Sequence, residues 1–210
     1  MRIFVLGATG HTGSVFVEQA LAAGHELTAY VRSPDKLPVQ ARLFVVAGDV
    51  LDPVPLAEAM RGHDAVVSML GVRSLAPHDF SAKSTTAIVA AAEGSGVRRV
   101  VLMSAFGTGE TIDKASTGAR LMFRSAAKGI QDDKAAGEEV LVASALDWTI
   151  AYPVVLSNGP ATGYHAVDLA ELDHVPGLPR ISRADVAAFL LKAASGEKWS
   201  RRKVVLTSED

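Results

Sequence analysis

The sequence contains no cysteine, which excludes disulfides, thiolate metal sites and cysteine nucleophiles together. It has no apolar run near the ~18 residues that a membrane-spanning helix needs, so no membrane partner is expected. It has no charge excess of either sign: the formal net charge is −2, with no global pull toward nucleic acid or an anionic surface. The six histidines (His11, His25, His63, His78, His165 and His174) show no ligand spacing, and no metal site is expected. Gly-x-Ser-x-Gly is missing too, because "TGSVF" lacks the closing glycine. No secretory leader is read ahead of "MRIFVLGATG", where a strand begins at once, and a cytoplasmic location is the expectation. There is no internal repeat or low-complexity segment.

What is present is a globular composition, 49% hydrophobic and 21% charged, in a length that suits one domain over residues 1–210. Short apolar runs alternate with helical stretches. "RIFVLG", "ELTAYVR", "ARLFVVAGD", "DAVVSMLG", "RRVVLMSAF", "DWTIAYP" and "KVVLTS" read as strands. Between them, "TGSVFVEQALAAG" reads as a helix closing at Gly24, "PVPLAEAMRG" as a short helix, and "DFSAKSTTAIVAAAEGSG" as a long one stopping at glycines. After the loop "GTGETIDKASTG" a helix is predicted through about Ser144. Leu156 to Pro179 reads as a loop region over the sheet's end, and "SRADVAAFLLKAAS" as a capped amphipathic helix. Residues 156–210 would form a small lobe on the substrate side. The alternation implies an α/β fold of the Rossmann type, a doubly wound parallel sheet with right-handed crossovers. Ligands of such sheets bind beyond the carboxyl ends of the strands.

The first of those ends carries "GATGHTG". Gly7 permits the tight turn, Gly10 lets backbone approach a pyrophosphate, and Gly13 allows close helix packing. The amides from His11 to Gly13 and the helix dipole favour the phosphates. At the end of the second strand, a carboxylate would select NAD(H) by binding the ribose hydroxyls. Here stand Arg32, Ser33 and Lys36, which suit a 2′-phosphate and predict NADP(H). Solvated loop charges are the alternative. Asp49 is a candidate acceptor for the adenine amino group, with Val50 packing on the ring. Leu70 and Gly71 would lie along the cofactor toward its nicotinamide. Arg98–Arg99 and Arg201–Lys203 read as solvated strand edges without interleaved aromatics, so no nucleic-acid partner is expected.

"GATGHTG", "VRSPDKLP", "GDVLD", "DAVVSMLGVR", "VVLMSAF", "DDK", "DWTIAYP", "GPATGY" and "RISRADVAAFLL" occur in an order and spacing that resemble the atypical short-chain dehydrogenase/reductases. These are the NAD(P)H-binding, NmrA-like families, and the likeness is greatest to the biliverdin-IXβ reductase/flavin reductase type. The resemblance implies an NADPH pocket built from Gly7, Thr9, Gly10, His11, Thr12, Arg32, Asp49, Val50, Leu70 and Gly71. It places Arg73 near the pyrophosphate or the mouth of the site. Ser104 matches the serine that flanks nicotinamide and substrate in these reductases. One departure is clear: those flavin reductases carry a histidine after the proline of the sixth strand, where this sequence has Val154 and Val155.

Ketone reduction needs a proton donor, commonly the tyrosine of a Tyr-x-x-x-Lys pair. Tyr30, Tyr152 and Tyr164 all lack a lysine four positions on, and Ile130 stands four positions before Lys134. A flavin, quinone or tetrapyrrole-like acceptor asks less, because its anion is delocalised and takes its proton from water. Ser104 is then expected to bond the acceptor ring, and Lys134 to bind the nicotinamide ribose or favour developing negative charge. The alternatives are a Ser104 that satisfies only backbone and a Lys134 on the surface beside Asp132 and Asp133. His78 and Phe80 are weaker candidates to face the substrate. The sequence thus predicts an NADPH-dependent reductase of a conjugated small molecule, monomeric or homodimeric. A non-catalytic NADP(H) sensor is the second reading, and a sugar-nucleotide epimerase or dehydratase relative the third.

Overall fold

The computed structural model describes residues 1–71, 79–126 and 128–209. Its centre is an eight-stranded sheet in the order β3-β2-β1-β4-β5-β6-β10-β8. The first six are β1 (Arg2–Leu6), β2 (Glu26–Val31), β3 (Leu43–Ala47), β4 (Ala65–Ser68), β5 (Arg99–Met103) and β6 (Asp147–Pro153). These six and β10 (Arg202–Ser208) pair in parallel, and the strand order reverses between β1 and β4. The inner strands are apolar on both faces because helices cover both. Ile3, Phe4, Val5 and Leu6 are 0–1% exposed, and each such side chain is stabilised by about 1.5–3 kcal/mol relative to exposure.

One helical layer pairs α1 (His11–Ala22) with α6 (Arg183–Ser195); α2 (Pro53–Met60), α3 (Phe80–Ser95) and α5 (Lys128–Ala143) pack in series as the other. This doubly wound α/β fold is the one the alternation predicts. The α1 chain reversal uses Gly24 at φ +88° and α3 stops at Gly96 at φ +81°, backbone conformations that glycine adopts without Cβ strain. At α6, the Ser182 hydroxyl accepts from the Asp185 amide at 2.9 Å, as the sequence predicts. The buried Asp185 carboxylate also accepts from the amides of Thr162 and Gly163, fastening the approach to β8 (Tyr164–Asp168).

Three expectations need correction. The predicted single helix through about Ser144 is two helices, α4 (Thr117–Ala126) and α5. The segment from Leu156 to Pro179 is not all loop: β8 pairs antiparallel with β10 as the sheet's last strand, and β7 (Val155–Ser157) pairs with β9 (Arg180–Ser182). A five-residue edge strand, half covered and rich in polar residues, leaves too weak an alternation to read. Arg99 is not a solvated edge. Its guanidinium is buried, donates to the Ala193 carbonyl at 2.8 Å and pairs with Asp147 at 3.0 Å, tying β5 to α6 and β6. Arg98 is exposed, as expected, while Arg202 pairs with Asp168 and Lys203 with Glu110.

Candidate functional site

The carboxyl ends of β1, β2 and β4 frame a polar cleft of about 130 Å³. A Cβ on Gly7 (φ +85°) would stand 2.7 Å from the Met69 carbonyl oxygen, and one on Gly13 would stand 2.0 Å from that of Gly7. The Gly10 amide donates to the Gly7 carbonyl at 2.9 Å and closes the turn. The α1 N-terminus that follows has no side-chain cap and no acidic residue in its first turn. Backbone donors and the positive end of a twelve-residue helix therefore stand uncapped just after Thr9, which lines the cleft. Of the other residues predicted here, His11 is exposed and Thr12 and Gly13 are buried, and none of the three lines the cleft.

Arg32, Ser33 and Lys36 line the far end with Tyr30, Gly48 and Val50, and Leu70 and Gly71 line the near end. Arg32 and Lys36 are exposed, and neither has a carboxylate partner among the described residues. Asp49 is exposed at the rim, where its Oδ1 accepts from the Leu51 amide at 3.0 Å and fixes the turn. Arg73 and His78 lie outside the described residues. The glycine cradle and uncapped helix fit a dinucleotide pyrophosphate, and the two cations fit an additional phosphate.

Leu70 and Phe80 also line a second, small pocket together with Ser68, Ser84, Thr85, Ser104 and Lys134. Close packing of α5 on α3 places Lys134 here. A Cβ on Gly137 would meet the Ser81 carbonyl at 2.9 Å, and the Asp133 carboxylate caps the α3 amides of Ser81 and Ala82 at 2.8 and 3.0 Å. Lys134 is therefore no surface lysine. Burial pulls its ammonium below its ordinary pKa, with Glu138 and Asp133 acting in the opposite sense.

Ser104, at the end of β5, is hydrogen-bonded through Oγ to Glu138 Oε1, and Tyr152 donates to Glu138 Oε2 at 2.8 Å. All three are buried. Burial raises the Glu138 carboxyl above its usual range, while the Ser104 and Tyr152 hydroxyls, then Lys134 and Lys203, oppose the shift. Burial and the neighbouring carboxylate push the Tyr152 phenol upward, so it is a poor acid. On its other side Ser104 borders an apolar cavity of about 250 Å³, walled by Phe106, Phe123, Pro153, Val154, Leu156 and Leu178. Residues 177–179, from the segment predicted to cover the sheet's end, form part of that wall.

The structure sets the sequence-predicted Ser104 and Lys134 on one small pocket and brings to them Glu138, Tyr152 and an aromatic wall that the sequence does not single out. The spacing Lys134-x-x-x-Glu138 puts both on one helix face, a signal that was available. The meeting of Tyr152 with that face is not local information. Among the described residues no group of acidic or histidine side chains could hold a metal ion, and no helix is long and apolar enough to cross a membrane.

The profile of the NAD(P)H-binding family matches residues 7–197, and the chain belongs to that family. It is 29% identical over 206 residues to an uncharacterized chloroplastic protein of Arabidopsis thaliana, covering 90% of this chain and 71% of that protein. It is 27% identical over 221 residues to the uncharacterized sugar epimerase YhfK of Bacillus subtilis, covering 100% and 95%. Among solved structures, it shares its fold with ChuY, an anaerobillin reductase from Escherichia coli O157:H7. The TM-score is 0.81 at 24% identity, with 100% of this chain and 98% of that one covered.

Proposed function

We propose that this member of the NAD(P)H-binding family is an NADPH-dependent reductase of flavins, quinones or related conjugated ring acceptors. One observation carries the reading: the polar cleft, a small pocket and the apolar cavity adjoin one another through shared lining residues. Leu70 and Phe80 line both the cleft and the narrow pocket, and Ser104 lines both the narrow pocket and the cavity. A cofactor lying along β1, β4 and β5 thus brings its reactive ring to the floor of a cavity suited to an apolar partner.

In this reading Gly7, Gly10 and Gly13 admit the pyrophosphate to the amides of His11, Thr12 and Gly13, with Thr9 at the rim. Arg32, Ser33 and Lys36 bind the 2′-phosphate, Val50 packs on the adenine with Asp49 beside it, and Leu70 and Gly71 flank the chain of the cofactor. When bound, the reduced nicotinamide supplies two electrons and a hydrogen as hydride. Lys134 holds the nicotinamide ribose and favours negative charge. Ser104 orients the acceptor by a hydrogen bond, and Phe106 and Phe123 stack against it and exclude water. The absence of a histidine at Val154 and Val155 leaves this wall apolar, which favours quinone-like rings over acidic tetrapyrroles.

A panel of FMN, quinones and tetrapyrroles, followed at the NADPH absorbance, tests the proposal. Oxidation of NADPH with at least one of them, at higher affinity than NADH, is expected. Binding of both NADPH and NADP+ with no turnover would replace the reductase by a redox sensor.

A further inference from the structure

We infer that Glu138 is a proton reservoir which recharges the Ser104 hydroxyl during turnover, linking the acceptor cavity to solvent through the protein wall. The inference deepens the reductase reading and rests on it. Ser104 borders the cavity on one side and is bonded to Glu138 on the other. Glu138 in turn lines a separate outer groove of about 300 Å³, with Gly109, Ala135, Glu139 and Lys203. A Cβ on Gly109 would stand only 3.6 Å from Glu138 Oε2, so the absence of a side chain there keeps the carboxyl open toward that groove. Ser104 and Glu138, in contact with each other, therefore span the wall between the outer groove and the cavity.

The proton count closes without a tyrosine acid. Ser104 Oγ donates to Oε1 and the Tyr152 hydroxyl to Oε2 of the carboxylate; on protonation the Tyr152 bond leaves Oε1 to carry the proton, and the Ser104 bond reverses so that Oε1 donates to Oγ. That turns the Ser104 hydroxyl hydrogen toward the cavity. As hydride reaches the acceptor, a π-bond of the acceptor opens and its electron pair settles on oxygen or nitrogen. That atom takes the Ser104 proton, and Ser104 Oγ takes the proton of Glu138. The carboxylate left behind is held by Tyr152 and the Lys134 charge, and water in the outer groove returns its proton. In sum NADPH, acceptor and one proton give NADP+ and reduced acceptor. The groups facing Glu138 are Lys134 and Glu139 on its own helix, Tyr152 on β6, Lys203 on β10 and Glu110 on the 109–114 turn. Burial raises the carboxyl above its usual range against the pull of Ser104, Tyr152 and the two lysines, which favours the protonated form.

Two measurements decide the matter. Carbon-13 NMR of glutamate-labelled protein without cofactor, with E138Q to identify the missing signal, should show Glu138 titrating well above the ordinary glutamate range. A normal titration overturns the relay whatever the enzyme does. With the best acceptor of the panel, E138Q should lower kcat about 100-fold, abolish the alkaline limb of the pH profile and enlarge the solvent deuterium effect, because proton supply then limits turnover. It should leave the NADPH Kd within about twofold, and E138D should recover part of kcat and the limb. The side-chain amide introduced by E138Q keeps both hydroxyl contacts, and an unchanged melting temperature confirms the fold. If E138Q turns over like wild type, the relay fails and the reductase stands. If the wild type reduces nothing in the panel, the reductase reading fails and the relay with it.

Discussion

Gly13 lies so close beneath Gly7 that a Cβ on it would sit 2.0 Å from the Gly7 carbonyl oxygen. The obstacle is backbone, so no side chain can move to relieve it. Gly13→Ala is expected to cost about 1–3 kcal/mol or more, as other overpacking substitutions do, and to weaken NADPH along with stability. Chemical denaturation with a cofactor titration reads both; a fully stable variant that binds NADPH normally contradicts the tight turn.

Arg32 has no carboxylate partner among the described residues and stands at the end of the cleft away from the apolar cavity. Arg32→Ala should weaken NADPH roughly 10- to 100-fold, the worth of a charged hydrogen bond, and leave NADH nearly untouched. Equal losses for the two nucleotides would remove the 2′-phosphate assignment.

Arg99 donates to the Ala193 carbonyl and pairs with Asp147 inside the fold. Arg99→Met should destabilise the protein by about 3 kcal/mol, because removing one partner leaves buried oxygens unpaired. Kd for NADPH should hold at temperatures where the variant remains folded. Urea midpoints compared with wild type give the answer, and a change under about 0.5 kcal/mol, the range of an ordinary surface substitution, argues against the buried pair.

His63 and Glu138 give stability opposite dependences on pH. His63 Nδ1 faces the Met60 carbonyl at 2.9 Å, so it carries the hydrogen and Nε2 accepts from the Thr28 hydroxyl at 2.7 Å. Burial lowers its pKa from the ordinary 6.5. Below about pH 6.5 the unfolded chain takes up a proton that the folded one refuses, so this contribution is lost as pH falls to the lowered value. Glu138 is raised above its ordinary 4.5. The folded protein holds that proton longer, so stability declines as pH rises from about 4.5 toward the raised value. Unfolding free energies across about pH 4–8 should lose the acid-side slope in His63→Gln and the second slope in Glu138→Gln. Unaltered slopes in either variant contradict the environment described for that residue.

Phe123 projects from α4 to the apolar cavity, edge-on to Phe106 at 6.3 Å between ring centres. Phe123→Ala should raise the acceptor KM about 3- to 10-fold through loss of aromatic contact, with NADPH affinity unchanged. A variant affecting only NADPH would move the acceptor elsewhere.

The nucleotide end of the site was legible because it is local: a strand, a glycine turn and a helix start lie within "RIFVLGATGHTG", and Arg32 follows one strand later. The same holds for the sheet's parallel core, whose period is written into each run. Less local features were not. Arg99 looked like a solvated edge because its neighbour Arg98 is also charged, whereas its partners Asp147, Thr149 and Ala193 lie 48 to 94 positions away.

By itself, then, the sequence determined a doubly wound fold, a dinucleotide cradle and the lack of a Tyr-x-x-x-Lys donor, since propensity, glycine spacing and residue type all act within a few positions. Only the tertiary structure decided that Lys134 faces a pocket, that Glu138 meets Ser104 and Tyr152, and that residues 177–179 wall the apolar cavity. These depend on how closely α5 settles on α3 and where the chain returns after β6. Such approaches are set by packing among distant residues, which no short window of sequence contains.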